Sequence, residues 1–163
     1  MSLQVAVCGP AECIEREAAD AFRVGQLLAA GDAVVVCGGG AGVMGAVAAG
    51  ARTGGGLVIG VLPTGDRATA SPDLSAAIVT DMGEARNAII VASADAVIVI
   101  GGSWGTLSEL ALAKRRGGVP VISLGGWRVT DHDGAAIGGI AHVATAEEAV
   151  AAALGRPSAS SRA

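Results

Sequence analysis

Residues Ala96 to Glu109 read Ala-Val-Ile-Val-Ile-Gly-Gly-Ser-Trp-Gly-Thr-Leu-Ser-Glu. Five consecutive apolar residues, four of them β-branched, fit a strand covered on both faces. The run breaks at Gly101-Gly102, and a helical pattern follows from Thr106 to Arg116. A strand that passes through a glycine-rich turn straight into a helix is half of a βαβ unit, so the stretch points to an α/β fold with a parallel sheet. It also builds a ligand site, because the N–H groups of such a turn and the positive end of the helix favour an anion, normally a phosphate. Glu109 lies about one helical turn further on, within reach of whatever the anion anchors. Thr106-Leu107-Ser108-Glu109 equally fits a capping box, with Thr106 as the cap and Glu109 reaching back to its N–H. Both readings stand at this point.

The same alternation runs outward in both directions. Strands are predicted at Leu3–Cys8, Ala33–Cys37, Leu57–Leu62, Ala77–Val79, Ala96–Ile100, Pro120–Leu124 and Ile140–Val143. Helices are predicted at Ile14–Ala30, Gly42–Thr53, Gly83–Ala92, Thr106–Arg116 and Ala146–Leu154. Most strands are continuous apolar runs, which argues for a mostly parallel sheet with right-handed crossovers. Residues 1–154 read as one domain, and residues 155–163, rich in Ser, Ala and Arg, as a disordered tail.

Composition excludes several classes of function. With 52% hydrophobic and 16% charged residues, the 163-residue chain belongs with globular proteins. One Phe, no Tyr and a net charge of -4 leave neither stacking platforms nor a basic footprint, so no nucleic-acid partner is expected. No apolar run reaches the roughly 18 residues that span a bilayer, and Met1-Ser2-Leu3 leads into a strand rather than a signal peptide, so a cytoplasmic protein without a membrane partner is expected. Cys8, Cys13 and Cys37 form no disulfide set, and Cys8 and Cys37, at strand ends, read as buried thiols. His132 and His142 have no ligand cluster at metal spacing, so no metal site is expected.

In a parallel sheet, ligands bind beyond the carboxyl ends of the strands, near the point where strand order reverses. Four turns lie at those ends: Gly9-Pro10-Ala11-Glu12, Gly38 to Gly45, Pro63-Thr64-Gly65 and Gly101 to Thr106. Gly40-x-Gly42-x-x-Gly45 formally matches a dinucleotide fingerprint. It follows the second strand rather than the first, and the next strand ends in Leu62-Pro63 with no ribose-binding acid, so no nicotinamide or flavin cofactor is expected.

Taken together, Val36-Cys37-Gly38-Gly39-Gly40 with Gly42-Val43-Met44-Gly45, Gly60-Val61-Leu62-Pro63, Arg86, Ser93-Ala94-Asp95-Ala96 and Gly102-x-x-Gly105-Thr106-x-x-Glu109 resemble the Lonely Guy (LOG) family. The likeness covers about Val5 to Leu124, and its nearest branch is the small bacterial proteins that also resemble molybdenum-cofactor carriers. It implies a Rossmann-like three-layer α/β/α fold, a homodimer or higher oligomer, and a pocket for a phosphorylated nucleoside or similar small molecule. LOG enzymes hydrolyse the N-glycosidic bond of nucleoside 5'-monophosphates to free base and ribose 5-phosphate, and the resemblance makes such a phosphoribohydrolase the expected function of this chain. The alternative is a non-catalytic carrier of a nucleotide, a nucleotide-derived signal or the molybdenum cofactor. In the family pattern Arg86 and Glu109 are the catalytic pair. The ligand set is Gly9, Gly39, Gly40, Gly42, Met44, Pro63, Gly102, Ser103, Trp104, Gly105 and Thr106.

The chemistry suits those residue types. A carboxylate near the ribose stabilises an oxocarbenium-like transition state or orients a water, and an arginine fork grips a phosphate bidentately. Away from the family pattern, Arg86 reads as a solvated arginine in the first turn of a surface helix. Members of the family often carry a lysine decarboxylase label. That chemistry is not expected here, because Lys114, at a helix end, is the one lysine available for a Schiff base.

Three departures from the family pattern stand out. The family loop Pro-Gly-Gly-x-Gly-Thr is here Gly101-Gly102-Ser103-Trp104-Gly105-Thr106, and its Arg-Lys pair is Arg86-Asn87. Serine in place of glycine at 103 predicts strain if that position requires positive φ, and loss of a lysine predicts weaker phosphate binding. Trp104 offers either a flat wall for a base or pterin or a packing or interface residue.

Overall fold

The computed structural model describes residues 1–155, so the tail expected over 155–163 lies, apart from Gly155, outside the described residues. In chain order the elements are β1 (Gln4–Cys8), α1 (Glu15–Ala30), β2 (Val34–Cys37), α2 (Val43–Thr53), β3 (Val58–Leu62) and β4 (Ala76–Val79). They continue with a 3-10 turn (Gly83–Arg86), α3 (Asn87–Ala92), β5 (Ala96–Ile100), α4 (Trp104–Arg116), β6 (Val121–Leu124), β7 (Ala141–Val143) and α5 (Ala146–Ala153).

The strands form one seven-stranded sheet in the order β4-β3-β2-β1-β5-β6-β7. Every neighbouring pair is parallel, so the expected "mostly parallel" sheet is wholly parallel among the described residues. The continuous apolar runs follow from coverage on both faces. Val5, Val7, Val35, Cys37, Ile98 and Ile100 face a core made with α1, α2 and α5, while Ala6, Cys8, Val36, Val97 and Val99 face one made with α3 and α4. This is a single-domain, three-layer α/β/α Rossmann-like fold.

Order reverses between β1 and β5: from β1 the chain winds outward through β2 to β4, then returns to β5 on the other side of β1. The turns after β1 and β5 therefore diverge and leave a crevice at their carboxyl ends.

Two predicted boundaries are corrected. The helix expected over Gly83–Ala92 is a 3-10 turn that passes at Arg86 into the short α3, a common way to tighten a helix start. The helix expected from Thr106 begins at Trp104, because Ser103, in extended conformation, caps it through its hydroxyl and Thr106 N–H. The capping box at Thr106–Glu109 does not form.

One glycine contact is a demanding feature of the core. A side chain on Gly50, inside α2, would run into the backbone carbonyl of Phe22 in α1, so the two helices touch main chain to main chain there. Alanine gains about 0.5–1 kcal/mol of helix propensity over glycine, but overpacking against an immovable backbone costs about 1–3 kcal/mol. Gly50→Ala is therefore expected to lower unfolding free energy in urea denaturation. An unchanged or raised midpoint would contradict the close helix approach.

Candidate functional site

A cavity of about 510 Å³ occupies the crevice, within the size range of small-molecule sites. It gathers residues from across the chain: Gly9 and Ala11 after β1, Gly38 and Gly40 after β2 with Met44 at the start of α2, Leu62 and Pro63 at the end of β3, and Ser103 after β5 with Gly105 and Thr106 at the start of α4. Thr69, Glu84, Arg86, Asn87 and Glu109 complete the wall. The sequence thus brings nine of its candidate positions to one place: Gly9, Gly40, Met44, Pro63, Arg86, Ser103, Gly105, Thr106 and Glu109.

The other four candidates lie elsewhere. Gly39 supports the wall from behind: its φ is +76°, and a side chain there would strike Leu62 and Gly60. Gly42 and Gly102 line an adjoining depression with Cys13, Glu12 and Glu17, on the α1 side of Ser103. Trp104 is 77% exposed, its ring tilted against Trp127 with centroids 5.3 Å apart, and it does not wall the cavity.

The loop after β5 carries its tight turn at Gly101, with φ +68°, a value that proline's ring forbids. Ser103 has φ -123°, which any residue adopts, so the strain expected at this position is absent. Its hydroxyl bonds Thr106 N–H at 3.2 Å and Thr106 Oγ1 at 2.7 Å. Trp127 Nε1 donates to Ser103 O at 3.0 Å and braces the turn.

Arg86 is 6% exposed, which rules out a solvated arginine on a surface helix. The reason is its place at the junction of the 3-10 turn and α3, where the turn packs against β3. Its Nη1 donates to Asn87 Oδ1 and lies 3.9 Å from Glu109 Oε1. Asn87 Nδ2 in turn donates to Glu84 Oε2 at 3.2 Å. Asn87, read from sequence as a lost cation, is thus the link between Arg86 and Glu84. Arg86 Nε has no hydrogen-bond partner among the described residues. Sequence reasoning missed Glu84 and Thr69: Glu84 follows Gly83 in the 3-10 turn, but neither residue belongs to a recognised motif.

Glu109 projects from the sixth position of α4 and is also 6% exposed. Burial pushes its carboxyl from the usual 4.5 up to about 7. Arg86 and a hydrogen bond from Cys8 pull against that rise, and Glu84 adds to it. Burial, then the charge and hydrogen bond of Glu109, raises the Cys8 thiol well above its ordinary range. Burial likewise lifts Cys37 to about 11, so both stay thiols at neutral pH, as expected of buried cysteines.

The family and its neighbours fit this arrangement. A protein-family model described as the SLOG cluster4 family matches residues 2–153. A relative from Archaeoglobus fulgidus, described as an uncharacterized protein, is 47% identical over 116 residues, covering 71% of this chain and 76% of its own. The molybdenum cofactor binding protein from Rippkaea orientalis superposes with a TM-score of 0.81 at 33% identity, covering 90% of this chain and 92% of that one. The Moco carrier protein from Chlamydomonas reinhardtii gives 0.81 at 31% identity, with 93% and 95% covered. These agree with the resemblance to LOG and molybdenum-cofactor carrier proteins drawn from the motifs.

The raised carboxyl makes a signed prediction. Between pH 4.5 and 7 the folded chain holds a proton on Glu109 that the unfolded chain has released. Stability from this group therefore falls as pH rises through that window and levels off above it, by on the order of 3 kcal/mol. Carbon-13 NMR of the Glu109 carboxyl is expected to titrate near 7, and a midpoint near 4.5 would contradict the burial argument.

Proposed function

The chain belongs to the SLOG cluster4 family, and from that premise and the crevice we propose that it binds a phosphorylated heterocycle and holds it without turnover, the molybdenum cofactor as cargo being the preferred ligand. The observation that carries this reading is the pairing of a buried Arg86 that lines the cavity, its Nε without a partner among the described residues, with a carboxyl already raised to about 7. The arginine attracts the ligand's anion. That anion, once seated, offsets the one charge that favours ionised Glu109 and drives the carboxyl toward its neutral form. A neutral carboxyl donates a hydrogen bond to a ring nitrogen or carbonyl, which suits holding. It supplies little of the negative charge that glycosidic cleavage needs.

The neighbours that bind or carry the molybdenum cofactor support the same choice, being 28–33% identical with nearly full coverage of both chains. A cytoplasmic, homo-oligomeric protein without nucleic-acid partners belongs to this proposal. Among the described residues, no helix is long and apolar enough to cross a membrane.

One observation favours hydrolysis as a second reading. Arg86 and Glu109 approach to 3.9 Å in the same cavity, the pair that the LOG pattern makes catalytic. In that reading the protein is a nucleoside 5'-monophosphate phosphoribohydrolase, with the ionised fraction of Glu109 acting at the ribose.

The two separate cleanly in one experiment. Purified protein is incubated with AMP and N6-isopentenyl AMP while free base is measured, and its melting temperature is recorded with and without molybdenum cofactor. The carrier reading predicts no base release and a rise in melting temperature with the cofactor. Base release that Glu109→Gln abolishes, and that increases as pH rises through 7, would replace it with the hydrolase.

A further inference from the structure

Three helix N-termini lie at this end of the sheet, those of α2 and α4 at the cavity and that of α1 at the adjoining depression, and they are not equivalent. At α1 the Glu17 carboxylate already occupies the end, accepting from Ile14 N–H at 3.1 Å. At α4 the Ser103 hydroxyl takes the Thr106 N–H. The α2 end has no side-chain cap and no acid in its first turn. Val43 N–H is used by Pro10 O at 3.0 Å, but the N–H groups of Met44 and Gly45 find no acceptor among the described residues.

Charge separates the ends further. Among the described residues Arg86 is the one cation that lines the cavity, and it lies at α2: the point where a Gly38 side chain would begin is 2.7 Å from Arg86 Nη2 and 2.5 Å from Met44 Sδ. Its Nε has no partner among the described residues, in a residue 94% buried. The two carboxylates lie toward α4, with Glu109 on its inner face and Glu84 Oε2 only 3.9 Å from where a Gly105 side chain would begin. A dianion placed on α4 would meet a capped terminus flanked by two acids, whereas on α2 it meets open amides and a permanent cation.

We propose that the ligand's anionic group seats on the α2 N-terminus, against the Met44 and Gly45 amides and Arg86, and not on the Gly105-Thr106 start of α4 that the family motif designates. The remainder of the ligand then runs toward α4, where Glu84 accepts from its exocyclic N–H donors. Glycine at 38 has its purpose here, because any side chain would displace the guanidinium from the α2 end. The placement rests on the reading that this crevice takes an anionic small molecule.

Nitrogen-15 amide spectra of the full chain, titrated first with inorganic phosphate and then with AMP, test it. The expected result is that Met44 and Gly45 show the largest downfield amide shifts. Ala41→Asp, which puts a carboxylate at an exposed position beside the α2 end, is expected to weaken AMP binding about tenfold or more while the spectrum keeps its native dispersion. Largest shifts at Gly105 and Thr106 with Met44 and Gly45 unmoved, or unweakened AMP binding in folded Ala41→Asp, would overturn the placement alone. If no crevice amide moves with either probe, the anion reading itself falls, and the placement with it.

Discussion

A guanidinium buried beside a sheet must have its charge answered, and Arg86 is answered only in part. Glu109 is 3.9 Å away, beyond hydrogen-bond reach, Asn87 takes one nitrogen, and another has no partner among the described residues. Leaving a buried cation short of partners costs several kcal/mol in an otherwise apolar setting. The arrangement is tolerable because the residue borders a cavity rather than packed core. The reversal of strand order between β1 and β5 opens that cavity, and the glycine turns around it keep side chains out of the space. Fold, turn chemistry and electrostatics thus converge on one place.

Much of this was legible in the residues. Runs such as Ala96–Ile100 have no polar position to put against solvent, so a doubly covered parallel sheet follows from pattern alone. Strand edges were placed within a residue or two, as at Ala76–Val79. The start of α4 was not legible, because Ser103 and Thr106 are both good caps and only the turn's path decides which one serves. Which glycines face the cavity was equally closed to one-dimensional reading. Gly39 and Gly40 are adjacent, yet one backs the wall and the other lines it. Glu84 and Thr69 enter through turns whose course depends on tertiary packing, and no motif in their local sequence marks them. Asn87 looked like a missing charge and instead ties Arg86 to Glu84.

The departures from the LOG pattern form a consistent set. Gly101 adopts a φ that proline cannot, Ser103 caps α4, and Asn87 joins a carboxylate to the arginine. The Ser103 cap occupies an amide of the α4 end, while the α2 end has no side-chain cap among the described residues. Neutral, deeply buried Cys8 and Cys37 beneath the site add apolar support rather than a nucleophile.

Calorimetric titration of AMP into the native chain and into Arg86→Gln, with amide spectra verifying that the variant is folded, tests most directly whether one buried cation makes this crevice an anion site. Losing a hydrogen bond to a charged group is worth about 1.5–3 kcal/mol, so affinity is predicted to fall by about tenfold or more. Equal affinity in the folded variant would contradict the account.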